Sequence, residues 1–262
     1  MSLTLYHAEP VANSLKVLIP LHEKGLAFES RYVNLQKFEQ HDPAFLAVNP
    51  EGQVPVLVHD GNVITQTTVI NEYVEDAFPG TLPLRPADPL GQARMRYWNK
   101  FVDEHVMNYV SIHGWTRRAA HTARQVDEAE FEALLTRIPL PEQREKWRQA
   151  RAGFNEGDLD NATRKVRLAV DKVEARLGET PWLAGDMFTL ADINFYSHCA
   201  MMLVRLFPEI GVPEELPRLF EWMDRVASRP GVAAALAGPD MTSAELRAII
   251  EQPAGQGIHQ PV

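Results

Sequence analysis

A single cysteine, Cys199, stands in 262 residues. No intrachain disulfide can form, and one thiol fits a reducing compartment. Long apolar runs are also missing: none approaches the roughly 18 residues that a membrane span needs. The start, Met1-Ser2-Leu3-Thr4-Leu5-Tyr6, reads as a strand and not as a signal peptide. A soluble cytoplasmic protein with no membrane partner is expected. Positive charge is scarce, with 26 Lys and Arg against 35 Asp and Glu and a net charge of −9. That balance disfavours nucleic acid or an anionic membrane as partner. The histidine spacing suggests no metal site, and no internal repeat is visible. Apolar residues are ample at 45% of the chain, enough for one large or two small domains.

The most informative stretch is Asn49-Pro50-Glu51-Gly52-Gln53-Val54-Pro55-Val56-Leu57, followed by Gln66-Thr67-Thr68-Val69-Ile70. Val56-Leu57-Val58 is a short apolar strand, and a proline is tolerated at its start because the missing N–H falls outside the ladder. If the Val54–Pro55 bond is cis, the chain turns sharply and leaves the Val54 N–H and C=O without ladder partners. Those groups could grip another extended backbone. Gln66 and Thr67 open a helical pattern carrying Val69, Ile70, Tyr73 and Val74. A helix N-terminus with side-chain donors is a carboxylate site. A strand edge beside an anion site suits a short anionic peptide, of which glutathione is the obvious candidate. The plain alternative is a buried strand, a turn and a capped helix without a ligand.

Along the chain, Leu3 to Tyr6 alternates as a first strand, and residues 14–24 form a helical face ended by Gly25, with Pro20 inside expected to kink it. Residues 28–33 alternate again as a second strand. Residues 55–58, the turn signal Asp60-Gly61, and Val63-Ile64 make a hairpin. A helix over 67–78 completes a β-α-β then β-β-α order. Four prolines, Pro79, Pro83, Pro86 and Pro89, mark a linker. Beyond Gly91 the pattern is helical, with amphipathic segments over 93–110 and 159–177. Thr189-Leu190-Ala191-Asp192 is a capping box ahead of an apolar helix, with Phe188 as its staple. Thr189 and Asp192 are therefore read as folding residues. Cys199 lies in that apolar helix beside Phe195, Ala200, Met201 and Leu203, as an inert core thiol.

Residues 1–80 resemble the thioredoxin-like N-terminal domain of cytosolic glutathione transferases, and Trp182 to Gly185 with the capping box resembles the helical domain of that family. The resemblance implies an α/β thioredoxin-like domain over 1–80, a linker over 81–92, an all-α substrate domain over 93–240 and a loose tail over 241–262. Residues 116–158 are longer than this fold usually needs between two core helices. They imply an extra helical excursion near the cleft, or else a surface hairpin serving a dimer. In the family, the residue before the cis-proline pairs with the cysteinyl backbone of glutathione, and a Glu/Gln then Ser/Thr pair holds the γ-glutamyl carboxylate. Here these positions are Val54, Pro55, Gln66 and Thr67. Gln40, His41 and Gln53, with Lys37 in the same loop, are candidates for the glycine carboxylate.

The thiol of glutathione must become a thiolate, and a donor at the start of the first helix lowers its pKa from about 8.5. Asn13 aligns with the asparagine of nu-class and fungal prion-like relatives, while Val11 stands where several classes carry the catalytic hydroxyl. Asn13 and Ser14 share the assignment, and a plain N-cap role for Ser14 stays open. The absence of cysteine there argues against disulfide exchange by an enzyme thiol. Tyr109, His113, Trp115, Arg118, Trp147, Tyr196 and Met202 are candidates for an aromatic-substrate pocket, with ordinary helix core as the alternative for each.

Ala12 to Lys16, Lys37 to His41, Leu84 to Pro89, Trp98 to Glu104 and Ile138 to Arg151 further resemble the β-etherases of lignin-degrading sphingomonads, nearest the type acting on the β(S) enantiomer. That implies attack of the thiolate of glutathione, a co-substrate, on a carbon α to a ketone, with inversion and loss of a methoxyphenolate. A homodimer is implied, with a heterodimer with a paralogue as the variant. The competing readings are a general glutathione transferase or dehalogenase and a non-catalytic glutathione-fold binding module.

Overall fold

The computed structural model describes residues 2–237; the tail expected over 241–262 lies outside the described residues. Four strands, β1 (Leu3–His7), β2 (Glu29–Tyr32), β3 (Val56–His59) and β4 (Asn62–Ile64), form one sheet in the order β2-β1-β3-β4. β1 runs parallel to β2 and antiparallel to β3, with Leu5 opposite Leu57. Leu3, Leu5 and His7 face inward, as the period of two requires. β3 turns into β4 through Asp60 (φ 47°) and Gly61 (φ 82°), and two successive positive φ values are what the Asp-Gly pair supplies to a tight hairpin.

Helix α1 (Ala12–Glu23) joins β1 to β2 and runs through Pro20; Leu15, Leu18, Ile19 and Leu21 are all buried along it. A short α2 (Pro43–Leu46) follows β2, and α3 (Thr67–Ala77) follows β4 and packs on α1. Asn71 of α3 donates to the Lys16 carbonyl at 2.9 Å, pinning the two helices together. The linker is held by Glu75, which pairs with Lys24 at 2.6 Å and accepts from the Leu84 N–H.

Pro89 stands in the first turn of α4 (Pro89–His105), capped by Asp88 through the Gly91 N–H at 2.8 Å. The helical segment expected over 93–110 is interrupted at Val106 (φ −117°), where α5 (Met107–Gly114) begins. A π-turn (Trp115–Ala119) leads into α6 (Ala120–Arg124). Then come α7 (Glu128–Thr136), α8 (Pro141–Ala152) and the long α9 (Glu156–Leu177). The capping box opens α10 (Leu190–Phe195): the Asp192 carboxylate accepts from the Thr189 N–H at 2.9 Å and from Trp222 at 3.0 Å. A second π-turn (Tyr196–Ala200) leads to α11 (Met201–Leu206), and α12 (Pro217–Ala227) and α13 (Pro230–Leu236) close the described chain.

One apolar core runs through both halves, from Leu5, Leu18, Leu57 and Ile70 to Trp98, Val170, Phe195 and Trp222. A separate cluster of Phe131, Leu135, Ile138 and Trp147 closes on Phe38, so the 116–158 excursion leans on the loop after β2. Among the described residues no helix is long and apolar enough to cross a membrane. Nor does any His, Cys, Asp and Glu cluster there suit a metal ion.

Candidate active site

The Val54–Pro55 bond is cis, and among the described residues neither backbone group of Val54 takes part in a turn or loop hydrogen bond. The preceding turn is tied by Asn49, whose side-chain amide donates to the Gln53 carbonyl at 2.8 Å. Gly52 has φ +65°, and a Cβ there would stand 2.6 Å from His41 Nδ1. Glycine therefore lets the His41 ring lie against this turn. Gln40 and His41 are both buried, yet Gln40 Oε1 and His41 Nδ1 have no hydrogen-bond partner among the described residues. Buried polar atoms left without partners cost about 1–3 kcal/mol each, so a polar ligand end at this loop would relieve them. Burial, with the Arg137 charge second, pushes His41 down to about 4, so it is a neutral donor or acceptor at pH 7.

Gln66 adopts φ 67° and ψ 113°, a conformation rarely held by a residue with a Cβ. It precedes α3, its exposed side chain makes no capping bond, and the first-turn N–H groups of α3 have no intrahelical partner. Gln66 and Thr67 thus stand at a helix N-terminus open to an anion.

At the start of α1, Ala12 has φ 47° and the chain turns sharply before it through the Val11 N–H to Glu9 carbonyl bond of 2.7 Å. Asn13 is exposed at this helix end, whereas Ser14 is buried and its Oγ accepts from the Ala8 N–H at 3.0 Å. The helix N-terminus favours an anion placed before it.

Behind Asn13 lies a buried polar chain. His198 Nε2 meets Asn13 Oδ1 at 2.8 Å. The Asn194 side-chain amide donates to Asp103 Oδ1 at 3.2 Å. Asp103 also accepts from Lys16 at 2.8 Å and from the Thr68 hydroxyl at 2.8 Å. Burial opposes ionisation of Asp103, but the Lys16 ammonium and the Thr68 and Asn194 donors outweigh it and hold the carboxyl below the usual range. Burial pushes the Lys16 ammonium down against the pull of Asp103.

The helical wall is aromatic. Phe38 and Trp147 lie 4.8 Å apart, and Trp115 meets Trp147 edge-on at 5.1 Å. Lys146 Nζ sits 4.9 Å over the Trp115 ring and donates to Ser111 Oγ at 3.2 Å. Burial lowers the Lys146 ammonium. Arg137 reaches from the end of α7 to Asp42 at 2.5 Å, beside the Gln40–His41 loop.

Of the expected pocket residues, Trp115 and Trp147 come together with Phe38. His113 turns instead to the Leu159 carbonyl at 3.3 Å and the Phe207 ring at 4.6 Å. Tyr109 and Met202 pack against the main core, and Tyr196 is buried 6.2 Å from Trp222. The Arg118 side chain lies outside the described residues. Cys199 is fully buried, and burial pushes its thiol up to about 12. Sequence reasoning missed His198, Asn194, Asp103 and Thr68 as site-building residues, and it named Lys16 only as the end of a stretch of resemblance. The available signal was a pair of polar residues four apart, Asn194 and His198, in a largely apolar run.

Residues 1–76 match the profile described as the glutathione S-transferase N-terminal domain, and residues 141–225 match that of the glutathione S-transferase C-terminal domain. The chain is 44% identical over 237 residues to Protein LigF of Sphingobium sp. (strain NBRC 103272 / SYK-6), covering 88% of this chain and 92% of that one. The crystal structure of Beta-etherase LigF from Sphingobium sp. strain SYK-6 superposes with a TM-score of 0.87 at 43% identity, over 90% of this chain and 99% of that one. Glutathione transferase F7 from Populus trichocarpa superposes with a TM-score of 0.69 at 26% identity, over 89% and 99% of the two chains.

Proposed function

Because the chain belongs to the glutathione S-transferase family, we propose that it is a glutathione-dependent β-etherase that cleaves β-aryl ether bonds of lignin-derived aromatic ketones. The observation that carries this is the likeness to a β-etherase through both domains. The cis Val54–Pro55 bond and the open N-terminus of α3 support the reading.

Glutathione is the co-substrate. Its cysteinyl backbone lies along Val54 before the cis Pro55, and its γ-glutamyl carboxylate sits on Gln66 and Thr67 at the α3 N-terminus. Its glycyl end meets Gln40 and His41: the glycyl N–H donates to Gln40 Oε1, and His41 Nδ1–H donates to the carboxylate, with Gln53 on the adjoining turn. The sulfur faces the start of α1, where Asn13 is exposed and Ser14 is turned inward onto the Ala8 N–H.

The reaction is displacement at saturated carbon. The thiol proton leaves to solvent, and the thiolate attacks the carbon that bears the aryloxy group and is activated by the neighbouring carbonyl. The C–S bond forms as the C–O bond breaks, the configuration inverts, and the phenolate departs with the bonding pair. Holding the two reactants in line accounts for most of the acceleration such a site needs. The aryl group lies against Trp115 and Trp147, and Lys146, over the Trp115 ring, faces the negative charge that develops on the phenolate oxygen.

The protein acts as a homodimer, a reading supported by the large apolar side chains exposed on α4 (Leu90, Tyr97) and α9 (Leu168). Light scattering at twice the 29.5 kDa chain mass supports it, and the single-chain mass removes it.

The test is product analysis after mixing the protein, glutathione and a racemic guaiacyl β-aryl ether ketone. Guaiacol and a glutathione conjugate from half the racemate establish a stereospecific etherase, and the unreacted enantiomer gives its handedness. Turnover of chlorodinitrobenzene without guaiacol leaves a general transferase. Glutathione binding with neither reaction leaves a binding module.

A further inference from the structure

We propose that His198 is a positioning residue for the glutathione thiolate: its Nε2–H holds Asn13 Oδ1, so that the Asn13 amide N–H groups face the cleft and donate to the sulfur. The proposal rests on the placement of the thiolate at Asn13.

A primary amide carries a donor end and an acceptor end, related by a half-turn of its last torsion. Exposed at a helix N-terminus, Asn13 could present either one. The donor end stabilises a thiolate and the oxygen end repels it, so the side chain helps only if something fixes the flip. His198 does so from the other domain, 185 residues along the chain and almost fully buried on the π-turn after α10. Its Nε2 lies 2.8 Å from Asn13 Oδ1, and its Nδ1 faces the Asn194 carbonyl at 3.3 Å.

A neutral imidazole has one N–H to share between these two oxygens. A proton on Nδ1 would leave Nε2 an acceptor. Asn13 would then turn its NH₂ to the ring and its oxygen to the cleft. The shorter contact to Oδ1 selects the Nε2–H tautomer and the productive flip.

The charged groups facing the ring are Lys16 from α1 and Asp103 from α4, with the neutral Asn194 and Asn13 beside them. Burial, followed by the Lys16 charge and opposed by Asp103, pushes the imidazole down to about 3. It therefore stays neutral, with one tautomer, throughout the range in which a thiol titrates. A neighbouring set of hydrogen bonds, not joined to the ring in this tautomer, runs from the Asn194 side chain through Asp103 to Thr68, next to Thr67 at the proposed γ-glutamyl site.

The experiment follows thiolate ultraviolet absorbance against pH for glutathione bound to the wild type, His198→Phe, His198→Gln, Asn13→Ala and the double variant. With His198→Phe, the bound-thiol pKa should rise by about one unit, about a tenfold loss of thiolate at pH 7. The glutathione KM should stay within about threefold, because the peptide grip is elsewhere. Asn13→Ala should match it. The double variant should be no worse than either single, since both remove one interaction. His198→Gln, whose amide can still donate to Oδ1, should recover most of the shift. An unchanged thiol pKa in a folded His198→Phe, or additive effects in the double variant, overturns the proposal.

Nitrogen NMR of histidine-labelled wild type gives a reading that needs no variant to fold. A protonated Nε2 supports the proposal and a protonated Nδ1 overturns it. If wild-type glutathione does not bind, or binds with its thiol pKa no lower than in water, the placement of the thiolate fails instead.

Discussion

The helical domain meets the thioredoxin-like domain in two places built from opposite chemistry. Under α1 and α3 the seam is polar and partly buried: Lys16, Thr68 and Asn13 on one side face Asp103, Asn194 and His198 on the other. At the loop after β2 the seam is aromatic: Phe38 inserts among Trp147, Phe131, Leu135 and Ile138, with the Arg137–Asp42 pair at its rim. The polar seam is directional, since each of its hydrogen bonds sets an angle as well as a distance, and losing Asp103 strands the buried Lys16 ammonium. The aromatic seam is held by area, so losing one ring weakens the clamp without reorienting the rest. The proposed thiolate-positioning amide lies on the first kind, and the proposed glycyl site lies beside the second.

Asp103→Ala should separate the two most sharply. It leaves the Lys16 ammonium, with a side chain 2% exposed, without its carboxylate, and breaking such a pair costs about 3–5 kcal/mol in urea unfolding. Lys16→Met with Asp103→Leu should recover much of that. A double variant as unstable as the single would mean that packing, not charge, holds this seam. Trp147→Ala should cost about 3 kcal/mol at most, because the cluster is small and partly open. Its signature is local: faster proteolysis within residues 116–158 and a raised glutathione KM, with the main core intact.

Both seams carry a depressed histidine, and the polar one should be the more acid-sensitive because His198 is held lower than His41. His198 is held at about 3 when folded and titrates near 6.5 when unfolded, so between these values the unfolded chain binds the extra proton. Its contribution is complete above pH 6.5 and is lost as pH falls, with a slope approaching 1.4 kcal/mol per pH unit. His198→Gln should flatten the stability curve between pH 6.5 and about 5, before the carboxylates titrate. A curve left unchanged would place the acid sensitivity elsewhere.

The smallest effect belongs to the rim. Arg137→Gln should cost under about 1 kcal/mol, as exposed ion pairs do. Removing that charge should raise the His41 pKa from about 4, which an NMR titration reads directly. No rise would mean that burial alone holds His41 neutral.

Much of the fold was written locally. Asp60 and Gly61 supply two positive φ values, Thr189 and Asp192 close a box within one turn, and the strand pattern of Leu3 to Tyr6 gives the buried alternation directly. The interruption of the long helix at Val106 was not legible, because no proline or glycine marks it. Asn13 and Ser14 could not be told apart from neighbouring residues alone. The structure separates them by burial and by the Ala8 N–H that engages Ser14.

The chain by itself determined what short-range stereochemistry controls: the helix and strand periods, the caps, the hairpin turn, and the Gly52 to Pro55 run beside the α3 N-terminus. These depend on backbone geometry and on partners within a few residues, so residue type is enough to specify them. Only the tertiary structure decided which polar side chains face one another across the domains. Lys16 finds Asp103 across 87 residues and Asn13 finds His198 across 185. A hydrogen bond needs angles and a distance near 3 Å, and the packing of α1 against α3, α10 and the π-turn after α10 sets those quantities, which no local pattern encodes.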